Sequence, residues 1–473
     1  MKQHPTKKHF IFDVITYSFP LLISRGLGFF LLPVYTRYLS PAEYGVVEMI
    51  SVLFVLLNIT LPMEIKQAVG RYLPEQKDQL SKSKVVSNAY WLTFFVFSVY
   101  AIISLVFADF ITDVVTGNPE HVLLIQVSGI SMLANALFQV VQTQLRFALK
   151  AKQAASVSIF FTIVNGVTTV LFLTIFNFGI MSMLIGQLLG SLTGMTIGLI
   201  YCSRDIRILF NLDFRKLREM LAFSIPLVFS SVGIYLGMFV DRWMIAEWMT
   251  MKEVGIYSVA FKFATVIGLL FLAIGQALVP LVYAHYKNAE TPYKIEKILR
   301  LLLTLVLPCI ICISFFAKPL VQFFTGDDYL ESTPLLVWLA ITVVFMNLYR
   351  FAPGMDIMKR TKRIASVNLI TATVNVFLNA LLIPKYGTLG AASATLTSGV
   401  LMLGLYVFYS QKEYPIPYKW NRIFIASIVT IIAVVTSQLW QIDLLIELIT
   451  FIILTLVIYK ILMEGNEFKT IVF

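Results

Sequence analysis

Arg25, Glu64, Lys66, Arg71, Arg146, Asp241, Arg242, Lys262, Arg350 and Asp356 are charged residues set inside long apolar runs. In a bilayer such a charge costs roughly 2.5–3.5 kcal/mol on insertion scales, so it faces a cavity, a partner or a substrate. Arg25 stands twelve residues into its run, too deep to reach the interface easily. A guanidinium there offers bidentate contacts to a phosphate, or a structural pair with a neighbouring carboxylate. Lys262 is a point charge on a flexible stem that would hold a phosphate or balance Asp241. Lys66 and Arg242 add two further cations for an anionic substrate. Asp241 and Arg242 are sequence neighbours and point about 100° apart on a helix. The expectation is therefore that each pairs with another helix and not with the other, with a cation or proton site as a second reading for Asp241. Arg71, Arg146 and Asp356 lie near helix ends, where interfacial anchoring or a gate salt bridge is the simplest reading. Together with Glu64, Asp241 and Arg350 they are the candidates for gating or ion coupling. Asn135, Gln139, Gln142 and Arg146 fall on one helical face;. Such a polar stripe lines a wet cavity or hydrogen-bonds to other helices.

The elements that position these residues are membrane helices. The chain of 473 residues is 58% hydrophobic and 13% charged, the composition of a polytopic membrane protein;. About 20 apolar residues cross roughly 30 Å of hydrocarbon. Fourteen runs qualify, near 13–38, 44–72, 85–107, 121–147, 154–176, 180–201, 219–248, 254–284, 297–317, 333–358, 363–384, 389–410, 421–440 and 444–462. The net charge of +11 is not a nucleic-acid signature. With the N-terminus inside, the lysines and arginines crowd the inner segments, while the outer loops carry only Lys252, Lys318 and Lys385. That is the positive-inside bias, and it predicts both termini in the cytoplasm. The apolar segment after Lys2–Lys8 reads as the first membrane helix and not as a cleaved leader. The three cysteines read as packing residues, the four histidines have no metal spacing, and no phosphate-binding glycine loop occurs;. No resident cofactor is expected.

The same unit occurs twice. Glu43-Tyr44-Gly45 returns as Glu253-Val254-Gly255, Ala155-Ser156-Val157 as Ala365-Ser366-Val367, and Val164-Asn165 as Val374-Asn375, all at an offset of 210. Ser18-Phe19-Pro20 and Ser224-Ile225-Pro226 follow at 206. Six helices per copy is an even number, so the copies face the same way, related by an axis along the membrane normal. The expected plan is an N-terminal six-helix lobe over 1–201, a cytoplasmic linker over 202–218 and a second six-helix lobe over 219–410. Two further helices and a tail fill 411–473. Pro20 and Pro226 are matched kinks, either hinges or static bends. Arg146 and Asp356 share the offset and would bridge across a cleft when it closes. Gly186, Gly190, Gly194 and Gly198 form a seam for close helix packing;.

Tyr35-Thr36-Arg37-Tyr38-Leu39-Ser40-Pro41-Ala42-Glu43-Tyr44-Gly45 resembles the first-hairpin signature of the polysaccharide-transporter family, the O-antigen flippase type. Asp241-Arg242 followed by Val254-Gly255-Ile256-Tyr257-Ser258-Val259-Ala260 resembles its second-lobe counterpart. This family belongs to the multidrug/oligosaccharidyl-lipid/polysaccharide exporter superfamily. The resemblance implies an all-α protein with two six-helix lobes around a central cavity, plus an extra pair. It implies a transporter and not an enzyme, working by alternating access in the bacterial plasma (inner) membrane. The implied substrate is an undecaprenyl-diphosphate-linked oligosaccharide, moved from the cytoplasmic to the outer leaflet for O-antigen, capsule or exopolysaccharide synthesis. Coupling to H+ or Na+, or to the membrane potential, would drive it. The implied partners are membrane lipids, a polysaccharide polymerase and chain-length machinery, with no nucleic acid. Arg25 resembles, by helix position, the cationic element of peptidoglycan-precursor flippases. A lipid II flippase or an ion-coupled multidrug antiporter shares this architecture, and a membrane glycan polymerase or ligase is the alternative of another class.

Overall fold

The computed structural model of the protein describes residues 28–203, 207–210, 212–439 and 444–463. Helices dominate, and no strand occurs among the described residues. Among the described residues, twelve helices are long and apolar enough to cross a membrane. The chain divides into two compact units, one ending at Gly255 and the next beginning at Ile256.

The first unit contains α1 (Leu32–Tyr38), α2 (Pro41–Thr60), α3 (Ile65–Tyr72), α4 (Gln79–Val106), α5 (Ala108–Thr116), α6 (Val122–Phe147), α7 (Ala151–Thr174), α8 (Met181–Ser203), α9 (Phe214–Trp248) and the first turn of α10 (Met251–His285). The starts follow from short polar side chains. Ser40 caps α2 in a reciprocal box with Glu43, Asp78 caps α4 through the Ser81 N–H, and Asp213 caps α9 through the Lys216 N–H;. The run expected to be continuous over 44–72 is broken. Pro62 has no N–H to donate and its ring opposes the preceding turn, so α2 stops at Thr60;. Met63 and Glu64 take left-handed φ of 51° and 54°, and the Glu64 N–H reaches back to the Ile59 carbonyl at 3.2 Å. This is a helix-terminating turn built without glycine. α3 then starts afresh and packs Ile65, Ala68 and Val69 against Val85, Val86, Ala89, Val140 and Met220.

α6 lies between α4 and α8, and α7 packs on α8. The glycine seam is real: a Cβ on Gly186 would fall 1.9 Å from Thr169 Oγ1. Between α8 and α9, residues 207–210 and Asp213 run along α4 as a docked strap. Ser83 Oγ accepts from the Arg207 N–H at 3.1 Å and Ser87 Oγ from the Leu209 N–H at 2.7 Å. Asn88 exchanges two hydrogen bonds with the Asp213 backbone, and Trp91 Nε1 donates to the Leu209 carbonyl at 2.8 Å. These four residues share a helical face of α4, so the extended strap finds its backbone partners on one polar rail. The capping Lys216 N–H, helped by the nearby Lys84 ammonium, holds the Asp213 carboxyl below its ordinary range.

The second unit continues α10 and adds α11 (Thr291–Thr325), α12 (Thr333–Leu348), α13 (Gly354–Ile357), α14 (Thr361–Glu413), α15 (Trp420–Leu439) and α16 (Leu444–Leu462). α11 kinks at Phe316, beside Pro319, and reaches Thr325, so most of the stretch expected as an outer loop from Lys318 is helix;. The run over 333–358 tightens into a 3-10 turn at Tyr349–Phe351 and unwinds at Ala352, ahead of Pro353, where a continuous helix was expected. Its freed carbonyls are taken up elsewhere: Tyr418 Oη donates to Phe351 and Ser410 Oγ to Ala352, both at 2.6 Å. Burial pushes the Tyr418 hydroxyl up, so it stays protonated as a donor.

α14 is a hairpin of two arms. Gly387, at φ 59° and ψ −137°, breaks the helical path;. A straight helix would hold Asn375 and Ser398 roughly 35 Å apart. Instead Asn375 Nδ2 donates to Ser398 Oγ at 3.1 Å, and Tyr406 Oη to Asn368 Oδ1 at 3.3 Å. The arms match the expected runs at 363–384 and 389–410. α15 and α16 pack on α11.

Candidate functional site

Inside the first unit a line of hydrogen bonds joins three helices. Lys66 Nζ donates to Gln139 Oε1 at 2.7 Å, Gln139 Nε2 to Asn135 Oδ1 at 2.6 Å, and Asn135 Nδ2 to Ser191 Oγ at 3.2 Å. The break at Pro62 aims this line, since α3 begins immediately before Lys66 and is pinned on α4 and α6 by its apolar face. Gln142 Nε2 donates to Ser158 Oγ on α7. Of the two readings of the polar stripe, interhelical hydrogen bonding describes these contacts. Asn135 is buried and Gln139 and Gln142 half-buried. Lys66 ends the line as an ammonium on a neutral amide, in no ion pair among the described residues. Glu64 is buried at the left-handed turn two residues earlier.

Asp241 and Arg242 correct an expectation. Their Cβ atoms diverge around the helix, yet Arg242 Nη1 meets Asp241 Oδ1 at 3.0 Å, with both side chains buried. The long arginine turns back along α9, where Nη1 also donates to the Met238 carbonyl at 3.0 Å. The carboxylate folds forward onto the Arg242 N–H at 2.8 Å. Side-chain reach overcomes the angular separation. Arg71 pairs with Glu75 one turn on, and Arg146 is exposed in the last turn of α6. Pro226 sits within α9 without interrupting it. Arg25 and Pro20 lie outside the described residues.

In the second unit Lys262 is half-buried on α10, with its carbonyl accepting from Thr265 Oγ1 at 2.7 Å. Arg350 lies in the unwound turn, its guanidinium 5.8 Å from the Tyr349 ring centre and against Gly275 of α10. Asp356 follows on α13, half-buried. The cluster of Asn375, Asn379, Thr395 and Ser398 between the α14 arms is buried and internally hydrogen-bonded. Only Asn375 was visible in the sequence, through its repeat mate Asn165. The buried Arg300–Glu296 pair of α11 escaped sequence reading, because it sits at the very edge of an apolar run.

The comparisons with known proteins agree on the kind of molecule. The probable low-salt glycan biosynthesis flippase Agl15 of Haloferax volcanii is 23% identical over 216 residues, 45% of this chain and 46% of that protein. The capsular polysaccharide biosynthesis protein CapF of Staphylococcus aureus is 28% identical over 215 residues, 44% of this chain and 54% of that protein. The matched stretch thus spans about half the length of these relatives. Among solved structures, the lipid II flippase MurJ in an inward closed conformation superposes with a TM-score of 0.74 at 20% identity, covering 94% of this chain and 98% of that one. At that identity the likeness is one of fold. The family described as polysaccharide biosynthesis protein matches residues 34–334, more than half of the chain. A multi-pass helical membrane protein with this match belongs to the polysaccharide biosynthesis protein family.

Proposed function

We propose that this chain is a flippase that carries an undecaprenyl-diphosphate-linked oligosaccharide from the cytoplasmic to the outer leaflet of a bacterial plasma membrane. It is a transporter and not an enzyme, and it supplies the polymerase and chain-length machinery of a surface polysaccharide. Counting the two-armed α14 twice, the twelve spans among the described residues support thirteen crossings. The run at 13–38, mostly outside the described residues, is the fourteenth in this reading, which puts both termini in the cytoplasm;. Family membership, the names of the relatives and the MurJ-like fold support a lipid-linked substrate.

The observation that carries the reading is Lys66: a cation fixed among apolar helices by a neutral amide, near the Glu64 carboxylate but in no direct ion pair among the described residues. A lipid diphosphate would take that ammonium directly, and its tail would stay in the bilayer. Asn135 and Gln139 are spent on the line behind Lys66, so they position the ammonium instead of meeting sugar. Gln142 ties α6 to α7. Arg25, Lys262 and Arg242 are the further substrate candidates. Glu64 and Asp356, which enter no ion pair among the described residues, are the carboxylates through which H+ or Na+ would couple.

Deleting the gene and following the lipid-linked sugar tests the reading. Repeat units accumulate on the cytoplasmic leaflet, the surface polymer is lost, and Lys66→Gln restores little of it. Repeat units that reach the outer leaflet unpolymerised would sink the reading in favour of a polymerase. Accumulated peptidoglycan precursor would move the substrate to lipid II.

A further inference from the structure

Among the described residues, the buried arginines are neutralised locally, and half-buried Arg350 is not. Arg242 has Asp241, and Arg300 has Glu296. Nearer the surface, Arg360 and Arg363 share Glu413. Arg350 enters no ion pair among the described residues, and its Nε is buried with no acceptor. A guanidinium has five donors and no way to shed its charge, so an unanswered one is costly unless a ligand completes it. The unwound backbone around it does not use those donors. The carbonyls of Phe351 and Ala352 are occupied by Tyr418 and Ser410.

The surroundings hold the guanidinium in place without neutralising it. The Tyr349 ring lies 5.8 Å away, and Gly275 leaves the space that Arg350 fills, since a Cβ there would stand 3.1 Å from Nη1. The repeat adds a second, independent argument. At the offset of 210, Lys66 and Gln139 correspond to Gln276 and Tyr349. The contact between Gly275 and Arg350 is therefore, within one residue, the second copy of the contact between Lys66 and Gln139. Each copy sets a cation in no direct ion pair among the described residues at this junction. In the first copy it is carried by the earlier of the two partner helices, in the second by the later one.

We propose that Arg350 is an anion-binding residue of the second unit that takes a phosphoryl oxygen of a membrane-borne phosphate. The assignment of that phosphate to a prenyl diphosphate rests on the flippase reading; the anion site does not. Gly275 and Tyr349 are its positioning residues.

The test uses the full chain in nanodiscs of phosphatidylcholine, with binding followed by tryptophan fluorescence. The probes are undecaprenyl diphosphate, phosphatidylglycerol and inorganic pyrophosphate. Arg350→Gln weakens undecaprenyl diphosphate by about tenfold or more, as expected for a lost hydrogen bond to a charged group. Arg350→Lys falls between, because it keeps the charge and loses the fork. Gly275→Ala keeps the arginine but displaces it, and weakens binding as well. It carries the test if Arg350→Gln does not fold, as judged by thermal unfolding. Folded variants that bind all three probes like the wild type overturn the inference and leave the flippase reading standing. An Arg350-dependent loss seen only with phosphatidylglycerol or pyrophosphate keeps the anion site and removes the prenyl diphosphate. Absence of binding to all three probes by the wild type removes the site.

Discussion

Arg300 is 1% exposed, and its Nε stands 2.6 Å from Glu296 Oε1, with Nη2 at 3.2 Å from Oε2. The remaining Nη1 donates to the Leu462 carbonyl, closing the C-terminus of α16. Arg422 Nη1 meets the next carbonyl back, Ile461, at 3.4 Å. The fork thus fastens the last helix to α11 by answering carbonyls that a helix end leaves orphaned. Breaking such a buried pair by removing one partner costs roughly 3–5 kcal/mol, while replacing both by apolar residues is close to neutral. Arg300→Ala should therefore lower the thermal unfolding midpoint strongly, and Glu296→Leu with Arg300→Met should regain most of it. Equal losses in the single and double variants would mean that the charges contribute through their bulk alone. Sequence spacing could have offered this pair, which sits at i and i+4, but only a partner chain segment 162 residues away explains why it is buried.

At the scale of elements, the short repeat motif that first marks the duplication is also a contact. Ser40 and Thr250 stand at the N-cap positions of α2 and α10, and each Oγ accepts from a glutamate N–H three residues on. Gly45 and Gly255 follow one turn later. A Cβ on Gly45 would fall 1.9 Å from the Met251 carbonyl oxygen, and a Cβ on Gly255 would fall 1.9 Å from that of Pro41. The contact is reciprocal, as a local two-fold relation requires. Gly45→Ala or Gly255→Ala forces the two helix starts apart, at a cost of roughly 1–3 kcal/mol for overpacking. The double variant should cost less than the sum, because one separation relieves both clashes. Thermal unfolding of the three proteins measures this, and simple additivity would mean that the glycines act separately. Much of the element plan was legible: most of the apolar runs among the described residues, the glycine seam and the stripe of Asn135, Gln139 and Gln142 reappear near the expected places. The breaks were not, although Pro62 and Pro353 were there to be read. A proline in an apolar run permits either a kink or a stop, and tertiary contacts decide which. Ser191 and Ser158, which receive the stripe, carry no signal of their own among many serines. Gln139 could be placed on a face, but its reach to Lys66 depends on the turn at Met63–Glu64.

At the scale of the whole molecule, the parity of the topology turns on α14. Its 53 residues could be one long tilted helix or two crossings. The hydrogen bonds across Gly387 require two, and the ends agree: Arg360 and Arg363, at the start, share Glu413, at the finish, with Arg360 Nε at 2.9 Å. Two ends held by one ion cluster lie on the same side of a bilayer. The basic residues Lys359, Arg360, Lys362, Arg363, Lys412 and Lys419 flank these ends, so the positive-inside bias predicts that side to be cytoplasmic;. Reporter fusions distinguish the alternatives. Green fluorescent protein fused after Lys362 and after Lys419 should fluoresce at both, and alkaline phosphatase should be active only when fused near Gly387. Fluorescence after Lys362 combined with phosphatase activity after Lys419 would make α14 a single crossing. The second copy of the repeat would then have five crossings against six in the first, α15 and α16 would invert, and the matched six-helix repeat on which the transport reading depends would be lost.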